Sequence, residues 1–276
     1  MPVGLAVAIV LVAVAVAIVL MLLVRRHAPA GGYYSSSRGI GIYSAVQGSL
    51  GILIAFVIFL AFQSYLAARA AAQTEATAVA QLYRAAGLFP SPTRQQLRAG
   101  LTCYARAAAG PEWDSMRSGN ISPLADDASN AIDNVFEASV RNRTAPDVAK
   151  SQWLGAVQDR AEAHQRRLTE AQPFVPTLLW VMLIGGALAV CGFLLTFADR
   201  AERPVLQMLV MAAPVGIVAS GLVLVFFFSH PYSGHSGSIK PTAMKRTELR
   251  MQQLSRAHRE ALTLPCDANG RLVRPL

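Results

Sequence analysis

The 276-residue chain is 53% hydrophobic and only 15% charged, with a mean hydropathy of +0.38. That exceeds what a soluble globular chain carries and predicts a multi-pass membrane protein. The net charge of +9 sits beside apolar runs and in the tail, without aromatic and basic interleaving, so membrane lipid headgroups rather than nucleic acid are the expected counter-charge.

An apolar helix needs about 20 residues to cross the hydrocarbon core. The first candidate, residues 1–24, lacks the basic n-region of a signal peptide and exceeds the length of its apolar segment, so a retained helix is expected. Residues 25–48 read as a short loop. Residues 49–65 form the second span, and neither Gly nor Pro interrupts the chain between Gly51 and Gly87. One helix of roughly forty residues is therefore predicted, leaving the bilayer by about 30 Å. Phe56, Phe59 and Gln63 share a stripe of that helix at i, i+3 and i+7. In a channel they would line a pore, the aromatics forming a dewetting constriction and Gln63 its polar mouth; otherwise the rings face lipid or neighbouring helices. No span centre carries a charged residue, which argues against a proton-coupled transporter or voltage sensor.

Residues 66–175 are expected to form a helical extramembrane domain. Ser91-Pro92, Ser122-Pro123 and Ala145-Pro146 mark helix starts and Gly110-Pro111 a break. Glu75 lies among alanines on the projecting helix. It can pair with a basic side chain such as Arg160 or Arg167, or form one of a ring of carboxylates in an oligomer. Glu112-Trp113 follows Pro111 at a helix start, where the carboxylate favours the helix dipole and the indole anchors the short helix.

Residues 176–197 and 205–229 are the third and fourth spans, joined by a short loop at 198–204. Both contain small residues suited to close helix packing. His230, Pro231, Tyr232 and Gly234 then read as a helix stop and interfacial turn. Residues 230–276 form a basic tail, either solvated or an amphipathic helix lying on the membrane or on the helical domain.

Arg25 and Arg26 follow a span with no preceding Lys or Arg, which places the amino terminus and the helical domain outside. Arg166, Arg167, Lys240, Lys245 and Arg246 on the opposite face vote the other way. Cys103 and Cys266 fall on one face, where an oxidising compartment would let them pair; the alternative is two unrelated thiols. None of the three cysteines has metal-ligand spacing, and His230 with His235 is too weak a pair to imply one. With no nucleophile elbow or phosphate loop either, no enzyme, metal or cofactor is expected.

The order of features resembles the bacterial bestrophin-like domain family. The residues that carry the resemblance are a first span ending in Arg25-Arg26, the GILIAFVIFLAFQSY segment running into the Glu75 helix, the Glu112-Trp113 pair, and HPYSG after the last span. The resemblance implies an all-α membrane protein of the bacterial plasma membrane with four spans and a helical domain between the second and third. It also implies a likeness to bestrophins, which are pentameric channels lined by the second helix. The chain departs from them in lacking an acidic calcium-binding run after the last span. The leading expectation is a homo-oligomeric ion channel. Its rival is a non-conducting accessory subunit whose helical domain or basic tail docks a protein partner.

Overall fold

The computed structural model describes residues 2–29, 37–258 and 262–276, and the described residues are helical throughout apart from turns and one isolated β-bridge. The helices are α1 (Val3–His27), α2 (Ser37–Ala85), α3 (Thr93–Ala109), α4 (Pro111–Arg117), α5 (Leu124–Arg141), α6 (Asp147–Glu170), α7 (Thr177–Leu195), α8 (Pro204–Ser229) and α9 (Thr242–Ala257), with a 3-10 turn at Ala86–Leu88. Four of them, α1, α2, α7 and α8, are long and apolar enough to cross a membrane. The chain divides into two compact units, one made of the residues up to Tyr65 with Pro173–His230, the other of Leu66–Gln172 with Pro231–Leu276.

In the first unit α1 packs against α8 and α7. Its core gathers Met21, Ile54, Val57, Leu183, Val190 and Met211, while Leu11, Ile52, Leu178 and Ile217 point outward. An apolar exterior of this kind suits acyl chains, and since lipid is as apolar as leucine, close packing rather than the hydrophobic effect must join the helices. Glycine supplies that closeness. A Cβ at Gly186 would lie 2.8 Å from Leu50 Cδ1, and one at Gly221 would lie 2.7 Å from Ile54 Cγ2. At one end of the unit Arg25 Nη2 donates to the carbonyls of Glu202 (2.5 Å) and Arg200 (3.3 Å), and the Arg200 guanidinium donates to the Arg26 carbonyl. The α7–α8 loop, with Arg200 and Arg203, therefore shares an end with Arg25 and Arg26.

Two boundaries differ from the sequence reading. Helix α2 begins at Ser37 rather than near residue 49. Tyr43 stacks on Phe193 with centroids 5.8 Å apart and meets Phe197 edge-on at 5.7 Å, and these contacts hold helical a stretch containing Gly41 and Gly48. The proline-marked helices open one residue later than proline at the first helical position would give: Pro92, Pro123 and Pro146 occupy the cap position, and Thr93, Leu124 and Asp147 begin α3, α5 and α6. As the absence of Gly and Pro predicts, Ile52 to Leu82 form one unbroken helix.

In the second unit α3 is central, packed on α5, α9 and α4. Trp153 of α6 stacks on Phe136 of α5 (5.9 Å) and meets Phe89 edge-on (5.7 Å), closing the far end of the core. Helix α9 does not remain a solvated tail. Met244 and Met251 are buried in the core, Arg106 Nε donates to Glu248 Oε1 at 3.0 Å, and Thr247 Oγ1 donates to the Ala76 carbonyl at 3.1 Å. Beyond α9, a disulfide joins Cys103 of α3 to Cys266, 163 residues away in sequence. The turn after it lies flat on α3. Gly270 has φ +80°, and a Cβ there would sit 2.4 Å from Ala107 N and 2.6 Å from Cys103 O. Both obstacles are backbone atoms that cannot rotate away. Gly270→Ala is therefore expected to destabilise this unit by about 1–3 kcal/mol, read as a lower unfolding midpoint with earlier proteolysis after α9; an unchanged midpoint and cleavage pattern would refute the close approach.

Candidate functional site

The residues that the sequence marks as distinctive converge in the second unit. Glu75 reaches inward from α2, where Ala71, Ala72 and Ala76 leave room for large partners to approach. Glu112 projects from the first turn of α4, and His164 and Arg167 lie three residues apart on one face of α6. Tyr104 completes the group from α3. All five side chains are buried.

The hydrogen bonds are dense. The Tyr104 hydroxyl donates to Glu75 Oε1 at 2.6 Å, and His164 Nδ1 lies 3.0 Å from the same oxygen and 3.2 Å from the hydroxyl. Arg167 Nε donates to Glu75 Oε2, and its Nη2 reaches Glu75 Oε1 at 3.2 Å and also donates to Glu112 Oε2. Met116 Sδ accepts from Nη1 at 2.9 Å, and the guanidinium carbon lies 5.6 Å from the Trp113 ring centroid. The planar fork of arginine suits this task because it binds two carboxylates and an aromatic face at once.

Electrostatics divides the two carboxylates. Burial pushes the Glu75 carboxyl up, but Arg167 and the hydrogen bonds from His164 and Arg167 outweigh it and hold the group at about 2. Glu112 has fewer bonds, and burial keeps it above its ordinary value despite Arg167 and His164. Burial would lower the Arg167 value, yet Glu75 and Glu112 reverse this and raise it. The Tyr104 hydroxyl is raised by burial and then by Glu75. Glu75 and Arg167 thus form a fixed ion pair, and Glu112 is the less settled member.

The turn after the fourth span is tied to the same cluster. Tyr232 packs edge-on against Trp113 with centroids 5.1 Å apart, and its hydroxyl donates to the Ala68 carbonyl at 2.8 Å. The Pro231 carbonyl accepts from Ile239 N at 2.9 Å, and Gly234 adopts φ +77° against the Arg117 side chain. His230 stands apart at the end of α8, its ring 4.6 Å from that of Phe226. The sequence reading singled out Glu75, Glu112, Trp113 and Tyr232 and named Arg160 or Arg167 as a partner for Glu75; Arg167 takes that place, while the Arg160 guanidinium lies 5.0 Å from the Tyr104 ring centroid. That reading missed Tyr104 and His164, which carry no spacing signal relative to the others.

The remaining candidates lie elsewhere. Phe56 and Phe59 are 58% and 56% exposed on the first unit's part of α2, and Gln63 is exposed too. In the second unit, Ala67, Ala70, Thr74, Thr77 and Gln81 of α2 face Glu162 and Arg166 of α6 across an open groove of about 740 Å³.

Four membrane-crossing helices, the second running on into a helical bundle closed by a buried Glu–Arg–Glu cluster, define an all-α multi-pass membrane protein. Residues 9–244 match the family described as Bestrophin-like domain, and the chain belongs to that family. A comparison with curated proteins finds no match. Among solved structures, a tryptophan-to-alanine variant of a bacterial Bestrophin homolog from Klebsiella pneumoniae is 13% identical with a TM-score of 0.69, covering 90% of this chain and 98% of its own. A further structure of the Klebsiella pneumoniae homolog is 14% identical with a TM-score of 0.68, covering 88% and 98%. A crystal structure of a membrane protein variant is 13% identical with a TM-score of 0.69, covering 89% and 98%. At these identities the likeness is one of fold.

Proposed function

We propose that this protein is a homo-oligomeric ion channel of the bacterial plasma membrane, not an enzyme, with its permeation path lined by α2. The observation that supports this most directly is the face of α2 itself: Phe56, Phe59 and Gln63 are exposed in the single chain, at the spacing of one helical stripe. Around a symmetry axis that stripe would supply an apolar constriction with a polar mouth. Reconstitution into liposomes tests the reading through stoichiometry and flux together. A ring of copies that passes ions supports it, whereas a monomer or a mixed complex without flux favours the accessory-subunit alternative, with the helical domain or the tail as the docking surface.

The helical unit is assigned to the extracytoplasmic side. A disulfide between Cys103 and Cys266 suits an oxidising compartment. Arg200 and Arg203 lie at the same end of the first unit as Arg25 and Arg26, and short loops rich in arginine stay in the cytoplasm. A cysteine introduced at exposed Asn120, with Cys191 replaced, is expected to react with a membrane-impermeant maleimide on intact cells. Labelling only after permeabilisation would reverse the orientation.

A further inference from the structure

We propose that Glu112, Asp126 and His164 form a binding site for a divalent transition cation, with Glu75 as the carboxylate that orients the imidazole. Two polar atoms of the buried cluster have no hydrogen-bond partner, Glu112 Oε1 and His164 Nε2, and they face each other across 3.5 Å. Asp126 Oδ1, from the first turn of α5, lies 3.4 Å from the same imidazole nitrogen. Ligands held at about 2.0–2.2 Å from a tetrahedral ion stand roughly 3.3–3.5 Å from one another, so these separations match the edges of such a site. One nitrogen and two carboxylate oxygens are a donor set that suits zinc and its first-row neighbours.

The surrounding residues are arranged as support for a ligand. Glu75 Oε1 lies 3.0 Å from His164 Nδ1, nearer than the Tyr104 hydroxyl and Arg167 Nη2, which are both 3.2 Å from that nitrogen; in the proposed site Nδ1 donates its proton to Glu75 and the Nε2 lone pair is turned toward Glu112 and Asp126. A carboxylate behind a histidine in this way fixes the tautomer of metal-binding imidazoles. Arg167 occupies both oxygens of Glu75 but only Oε2 of Glu112, leaving Oε1 open. The charges also balance: Glu75 is neutralised by Arg167, and a divalent cation neutralises Glu112 and Asp126. Asp126 is 53% exposed while Glu112 and His164 are buried, which gives the ion an entry from solvent.

The competing account of the same atoms is an imidazolium whose Nε2 proton serves both carboxylates, with no metal. The two are separated with the full-length protein in detergent, stripped with a chelator and titrated with Co²⁺. Wild type is expected to bind one Co²⁺ per chain with the visible absorption of a four-coordinate ion, and Zn²⁺ is expected to displace it. Asp126→Asn alters a half-exposed side chain and leaves the buried bonds of Glu75 and Arg167 in place, so it is expected to fold normally and to bind at least tenfold more weakly. Glu75→Gln is expected to weaken binding by about 10- to 100-fold where it folds. Absence of the cobalt spectrum in wild type, or equal binding by folded Asp126→Asn, overturns the site.

Discussion

Replacing Arg167 with methionine is expected to lower the stability of the helical unit by about 3–5 kcal/mol, because it leaves Glu75 and Glu112 buried without their shared counter-charge. The cost comes mainly from the stranded carboxylates, since methionine fills much of the same space. Neutralising them in the same chain, with Glu75→Gln and Glu112→Gln, should therefore recover a substantial part of the loss. Arg167→Lys keeps the charge but cannot bridge two carboxylates in a fork, and is expected to fall between wild type and Arg167→Met. The pH dependence separates this explanation from simple loss of packing. In wild type the Glu75 carboxyl titrates at about 2 in the fold against an ordinary 4.5, so its stabilisation is complete above about 4.5 and disappears as the pH falls toward 2. In Arg167→Met only His164 is left to oppose burial, so the carboxyls rise and the defect should shrink as the solution is acidified. Denaturant unfolding in detergent at several pH values measures both. A variant within about 1 kcal/mol of wild type at neutral pH, or one whose deficit does not change with pH, would remove the cluster from the account of stability.

The second large effect concerns conduction. If α2 lines a pore, Phe56 and Phe59 form its driest stretch, because apolar side chains across a narrow path expel water and deny an ion its hydration. The double substitution Phe56→Ala and Phe59→Ala should then raise ion flux at least tenfold, equivalent to about 1.4 kcal/mol off the conduction barrier. In a non-conducting subunit the same rings would be packing surface. Their removal would cost several kcal/mol of assembly where they are buried against neighbours, and no flux would appear. The quantity to compare is flux per correctly assembled particle. An intact oligomer that is silent in both forms would falsify the channel reading and leave the accessory role in its place.

Hydropathy alone places the four spans, because no soluble element requires about 20 consecutive apolar residues. The length of α2 is legible for a complementary reason: the run from Ile52 to Leu82 contains neither of the two residues that break helices. Its early start at Ser37 is not, since the stacking of Tyr43 on Phe193 joins residues 150 apart and leaves no local trace. The buried cluster is half legible. Glu75 stands out as an acid in an alanine run, and Arg160 and Arg167 as bases able to pair with it. Tyr104, Asp126 and His164 come from three different helices, and only packing brings their atoms within reach of the two glutamates. The tail illustrates a third case, in which an amphipathic pattern specifies that α9 will find an apolar surface but not which one. Met244 and Met251 choose α3.

That choice has a consequence for how the protein is made. Helix α3 is covered on one side by α9 and by the Gly270 turn, segments that leave the ribosome only after α7 and α8 have been synthesised. Until then the helical unit is an unfinished bundle with part of its central helix bare. Its completion must wait until α7, α8 and the carboxyl-terminal segment have been made. The last residues of the chain thus act as a latch on a domain begun much earlier: a chain cut short before α9 would be left with a helical unit open along α3, exposed to proteases and to its own aggregation.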